Sequence, residues 1–169
     1  MKKKSFIRDL FEILLGVAII SFVLLKFILI PCEVRGTSML PTLLDKDRGY
    51  SFILTRNIGI DRFDICVIKP TNVDEEKLIV KRIIGMPNET VEYKNNVLYI
   101  NGIEYEEEYL NNVFTEDFVM KLGDEEYCCL GDNRPVSKDS RYYGAFKEDE
   151  IIATNLFVFY PFSNFGVKK

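Results

Sequence analysis

Hydrophobic patterning divides the chain in two. A basic flank, Lys2, Lys3, Lys4 and Arg8, leads into an apolar stretch that ends near Pro31. From Leu10 to Ile30 this stretch is long enough to cross a bilayer core as a helix rising about 1.5 Å per residue. Glu12 lies near its start, and Lys26 lies near its end, where a lysine stem reaches the interface. The run is too long for a cleavable secretory signal, and "FILIPC" has no small-x-small pattern; Pro31 also argues against lipid attachment at Cys32. The preceding basic residues put the N-terminus in the cytoplasm and the body outside.

Beyond Pro31 the period becomes alternating. "YSFILT" (50–55), "FDICVIK" (63–69), "KLIVKRIIG" (77–85), residues 125–131 and "IATNLFVFYPF" (152–162) read as strands rich in β-branched and aromatic residues. "ETVEYKNNVLYINGIEY" adds strands joined at Asn95-Asn96 and at Asn101-Gly102, residues that tolerate the positive φ of tight hairpins. The acidic "EYEEEYL" (104–110) reads as a solvated loop. The tail "NLFVFYPFSNFG" is too short for a second span and reads as a buried strand. The prediction is a mainly β protein, a small antiparallel barrel or sandwich behind one transmembrane helix. Its parts are a cytoplasmic tail (1–9), an anchor (10–31) and an extracytoplasmic β domain (32–169).

Composition narrows the chemistry. The chain has no histidine, which excludes Ser-His-Asp triads, Cys-His pairs and His-ligated zinc; no metal and no cofactor are expected. The net charge of −4 is uneven, because residues beyond 31 carry 17 basic against 24 acidic side chains. Such a body is a poor partner for nucleic acid. Cys32, Cys66, Cys128 and Cys129 form no C-x-x-C pair and read as small hydrophobes, with Cys128 and Cys129 on opposite faces of a strand. A disulfide between distant cysteines stays open.

Within "VRGTSMLPT" (34–42), Ser38 stands between a glycine and a proline just outside the predicted membrane. If it is a nucleophile, its base must be something other than histidine. Lys81 lies mid-strand with Ile79 and Ile83 on its own face and Arg82 on the other. A lysine so flanked loses water, which disfavours its charged form; the alternative is a lysine reaching solvent from an edge strand. Between 130 and 146 the chain concentrates turn formers, serines and charges. Asp139 and Arg141 suit a local ion pair, and Ser137 or Ser140 could orient a neutral lysine.

"GTSMLPT", "VKRIIGMPNETVE" and "GDNRPVSKDSRYYG", in that order behind an apolar N-terminus, resemble type I signal peptidases, most closely the short single-anchor form of Gram-positive bacteria. The resemblance implies a membrane-bound serine endopeptidase that removes signal peptides from secreted preproteins after small-x-small sites. Ser38 would be the nucleophile, Lys81 its general base, and Ser137 the serine that holds the lysine. Gly131, Asp132, Asn133, Asp139 and Arg141 would shape the site. The oxyanion hole would use the Ser38 backbone N–H, with the second donor left among the Gly36 backbone, Thr37 and water, since family members that carry a serine at that place have glycine here. Glu33, Val34, Arg35, Met39, Ile79 and Ile83 would meet a substrate bound as an added strand. Preprotein signal peptides, the lipid bilayer and the neighbourhood of the secretion translocon are the implied partners, and the cell membrane the implied location, crossed once. Two rivals are a tethered, non-catalytic β-domain that binds a partner, and a self-cleaving Ser-Lys protease of the repressor type.

Overall fold

The computed structural model describes residues 3–71, 78–111 and 113–168. It begins with helix α1 (Lys3–Ile28), followed by β1 (Leu29–Glu33), β2 (Arg48–Phe52), α2 (Ile53–Ile58), β3 (Ile65–Ile68) and β4 (Ile79–Gly85). Next come β5 (Thr90–Lys94), β6 (Val97–Ile100), β7 (Ile103–Tyr105), β8 (Phe118–Lys121) and β9 (Glu126–Leu130). The chain closes with α3 (Ser140–Tyr143), β10 (Phe146–Lys147), β11 (Ile151–Tyr160) and β12 (Gly166–Lys168). The larger sheet has the order β1-β2-β11-β3-β4-β9-β10, with β12 paired to β11, and the smaller has the order β7-β6-β5-β8; every pairing is antiparallel.

The expected hairpins form. Asn95, Asn96, Asn101 and Gly102 all have positive φ, and they close the two-residue turns between β5 and β6 and between β6 and β7. Strands β4 and β9 are buried on both faces, so adjacent residues feed different cores. Ile83 and Cys129 join one cluster with Cys66, Ile68 and Tyr127, while Ile84 and Cys128 join another with Val91, Tyr93 and Leu98. The two neighbouring cysteines therefore face opposite ways, as the strand period requires. All four cysteines are free. A third cluster, with Met39, Leu43, Ile65 and Leu156, lies under the segment that carries Ser38.

Three expectations need correction. The strand expected over 50–55 ends at Phe52, and Ile53–Ile58 form a short helix instead. The first helix stops at Ile28, before Pro31, because Leu29 to Glu33 pair with β2 and their backbone groups enter the sheet. The acidic 104–110 stretch is not simply solvated: Glu107 turns inward to the buried Arg134 guanidinium at 2.6 Å, and Tyr93 donates to it at 2.5 Å. A buried guanidinium needs a carboxylate partner, and the acidic stretch supplies one.

From Phe6 to Val23 every residue of α1 is exposed except half-buried Gly16. Among the described residues no helix is long and apolar enough to cross a membrane. Lys2 and the side chains of Lys3, Lys4 and Lys26, expected as the polar flanks of a span, lie outside what is described, as does Lys77 at the start of the expected strand over 77–85.

Candidate active site

Strand β4 lies between β3 and β9, so Lys81 is not on an edge. Its cross-strand partner is Cys66, and it is 4 % exposed. Interior placement removes the route by which a lysine usually reaches water. Its amine instead reaches the Ser38 hydroxyl, with Nζ 2.9 Å from Oγ. Burial pushes the Lys81 amine below the usual lysine range, against the opposing pull of Asp139, Cys66, Asp132 and Cys129.

Ser38 sits on a turn whose anchors follow from its sequence. Met39 is 2 % exposed and plugs the chain into the third core cluster. Its carbonyl accepts from Leu43 N–H at 2.9 Å, and the Thr37 carbonyl accepts from Leu40 N–H at 3.2 Å. Asn133 grips the other side of the turn. Its backbone N–H donates to the Ser38 carbonyl at 3.0 Å, and its side-chain amide donates to the Thr37 carbonyl at 3.1 Å. Among the described residues the Ser38 N–H donates to no acceptor.

The loop after β9 is held by buried charge. Arg82 donates to both oxygens of Asp132, at 2.8 and 2.7 Å, and Thr42 donates to Asp132 at 2.5 Å. Asp139 accepts from Gly131 N–H at 3.0 Å and pairs with Arg141 at 2.8 Å. It also caps α3 through Arg141 N–H, which points the start of that helix at the loop. The Arg141 guanidinium donates in turn to the Arg134 carbonyl at 2.6 Å, and Arg134 donates to the Gly131 carbonyl at 2.9 Å. Gly131 admits no side chain, because a Cβ there would stand 2.5 Å from the Ser38 carbonyl oxygen and 2.6 Å from Ser137 Cβ, and closer still to Ser137 Oγ.

Lys81 and Ser38 open on a cleft of about 720 Å³. Glu33, Val34, Arg35, Gly36 and Thr37 form one wall, Leu78 to Lys81 another, and Val136, Lys138 and Tyr143 a third. Ile79 and Met39 line it; Ile83 does not. It is fully buried among Tyr127, Cys129 and Phe146, two positions beyond Lys81 on the same face, and this corrects its expected contact with substrate. Two further corrections concern hydrogen bonds. The Gly36 N–H donates to Asp45 at 2.8 Å, which leaves it engaged rather than free for an oxyanion. The Ser137 hydroxyl is buried but reaches no partner among the described residues, so the contact expected with the lysine is not made there. Sequence reasoning missed Asp45, which no motif marks, and the cleft residues Leu78, Val136, Lys138 and Tyr143, which join it only through the fold.

The family model described as signal peptidase, peptidase S26, matches residues 7–160. The chain belongs to the signal peptidase family. Signal peptidase IB of Staphylococcus aureus is 36% identical over 181 residues, covering 94% of this chain and 93% of that protein. Signal peptidase I S of Bacillus subtilis is 39% identical over 176 residues, covering 96% and 93%. A crystal structure of a signal peptidase I from Enterococcus faecalis superposes with a TM-score of 0.52 at 36% identity, covering 57% of this chain and 96% of that one. By family this is a signal peptidase I enzyme with a mainly β fold, as its blocks of sequence implied.

Proposed function

We propose that this protein removes signal peptides from exported preproteins by acyl transfer, with Ser38 as nucleophile and Lys81 as general base and then general acid. The 2.9 Å approach of a dry lysine amine to a serine hydroxyl carries the reading. In the working form the amine is neutral and accepts the hydroxyl proton as Ser38 Oγ attacks the scissile carbonyl. The resulting ammonium returns that proton to the leaving amine as the peptide bond breaks. Water then attacks the acyl-enzyme, with Lys81 acting as base once more. The unengaged Ser38 N–H is the oxyanion donor from this chain's backbone.

The substrate lies extended in the cleft between the 33–37 wall and residues 78–81. Shallow apolar ground from Val34, Met39, Ile79 and Val80 admits small side chains, which accounts for small-x-small sites before the cut. Helix α1 anchors the protein in the membrane with its N-terminus cytoplasmic, so the cleft faces preproteins as they emerge near the translocon. Its exposed apolar surface on every side supports that role.

The test uses the full chain in detergent or lipid and a peptide with a small-x-small site. The wild-type protein cleaves it at one bond, and Ser38→Ala and Lys81→Ala lose turnover by at least about a thousandfold. Turnover retained in folded Lys81→Ala removes the base and with it the mechanism.

A further inference from the structure

Among the described residues that line the cleft, four are charged types: Glu33, Arg35, Lys81 and Lys138. Three of them are accounted for. Glu33 pairs with Arg35 at 3.6 Å and with Arg48 at 3.3 Å, and Lys81 faces Ser38. Lys138 makes no ion pair among the described residues; its ammonium lies 5.1 Å from the centre of the exposed Tyr142 ring. The acids nearest to it in sequence are committed elsewhere, Asp139 to Arg141 and Asp132 to Arg82. Lys138 is therefore an uncompensated cation on the third wall, and the residue before it, Ser137, packs against Gly131 beside the Ser38 carbonyl.

We infer that Lys138 is a specificity residue that favours substrates with an acidic side chain close to the scissile bond and disfavours a basic one there. The inference rests on the proteolytic reading above. An unbalanced charge at the mouth of a cleft attracts its opposite and repels its like. The surrounding body has an excess of acidic residues, 24 against 17 beyond residue 31, and repels acidic peptides in general. A cation placed on the third wall thus discriminates by position, not merely by overall peptide charge. The ring of Tyr142 holds the ammonium in place without neutralising it.

The experiment places Asp, Asn or Lys in turn at each residue within about three of the cut, leaving the two small positions untouched. kcat/KM is measured for full-length wild-type protein, Lys138→Gln and Lys138→Glu in detergent. The readout is the ratio of the Asp peptide to the Lys peptide within each enzyme, which removes any general loss of activity. Wild type should prefer Asp by about fivefold at one position or more, as expected for a solvent-facing pair; Lys138→Gln should shrink the ratio and Lys138→Glu invert it. Raising salt should compress it. Equal ratios in wild type and Lys138→Glu at every position overturn the inference. Binding of the same peptides to Ser38→Ala and to Ser38→Ala/Lys138→Glu, followed by fluorescence anisotropy, separates the two readings. A charge order that depends on Lys138, found with a wild-type protein that cleaves nothing, keeps the specificity role and removes the protease.

Discussion

Lys81 is 4 % exposed, and burial holds its amine below the ordinary lysine range. Between that lowered value and the ordinary one, the unfolded chain binds a proton that the folded chain does not. Folding stability therefore rises with pH across this interval, and below it the folded state carries the full cost of a buried ammonium. Each unit by which the value is lowered costs about 1.4 kcal/mol at acid pH. Replacing Lys81 by methionine removes the charge and keeps the volume. The variant should be inactive yet melt at a higher temperature than wild type at neutral and acid pH, with the difference fading above roughly pH 10. A stability difference that stays constant from acid to alkaline pH would show that the amine is not desolvated. Activity carries the same sign: wild-type cleavage falls as pH drops through the lowered value, and a profile flat down to about pH 5 contradicts a lysine base.

At the scale of elements, the site is a meeting of a turn, a strand and a loop, and Gly131 is where the turn and the loop touch. A Cβ at this position would approach the Ser38 carbonyl oxygen to 2.5 Å, so Gly131→Ala must move the Ser38 turn or the loop. A displacement near 1 Å at a reacting group costs about a hundredfold in rate, and kcat should fall by at least that much while the protein still folds. Wild-type kcat in a folded Gly131→Ala protein would mean that the turn position does not set the rate. Much of this was legible beforehand. The two asparagine hairpins follow from positive-φ preferences, and the Asp139–Arg141 pair follows from spacing within one loop. The partners of Arg82 and Arg134 were not legible, since Asp132 and Glu107 reach them across the fold from distant segments. Ile53 and Leu54 fitted a strand pattern because short apolar runs carry no period of their own, and the helix there is set by its surroundings.

Over the whole molecule, Arg134 ties the smaller sheet to the loop behind Ser38. It is buried, pairs with Glu107 at 2.6 Å, donates to Thr115 at 3.1 Å and to Tyr93, and holds the Gly131 carbonyl. Glu107→Gln leaves this guanidinium buried without its carboxylate, a change that commonly costs about 3–5 kcal/mol. The variant should lose stability of that order in denaturant melts and lose kcat, with the pH dependence of the remaining activity unchanged because the Lys81–Ser38 contact itself is left in place. A shifted pH profile would couple Glu107 to Lys81 directly.

Helix α1 stands apart from this framework: its residues from Phe6 to Val23 are exposed apart from half-buried Gly16, with Phe6 at 70 % and Phe22 at 69 %. Such a face is costly in water, and among the described residues no α1 side chain joins the β cores. Arg8 pairs with Asp9 and with Glu12 at its N-terminal end, which suits the headgroup region more than the hydrocarbon. Removing residues before Leu29 keeps β1 and should leave the β domain folded and able to cleave a short soluble peptide, while abolishing flotation with lipid vesicles. The loss should be greater for a full preprotein presented in vesicles than for the peptide, because a membrane-bound α1 would raise the local concentration at the membrane. Equal flotation of truncated and full-length chains would move the membrane contact from α1 to the β domain.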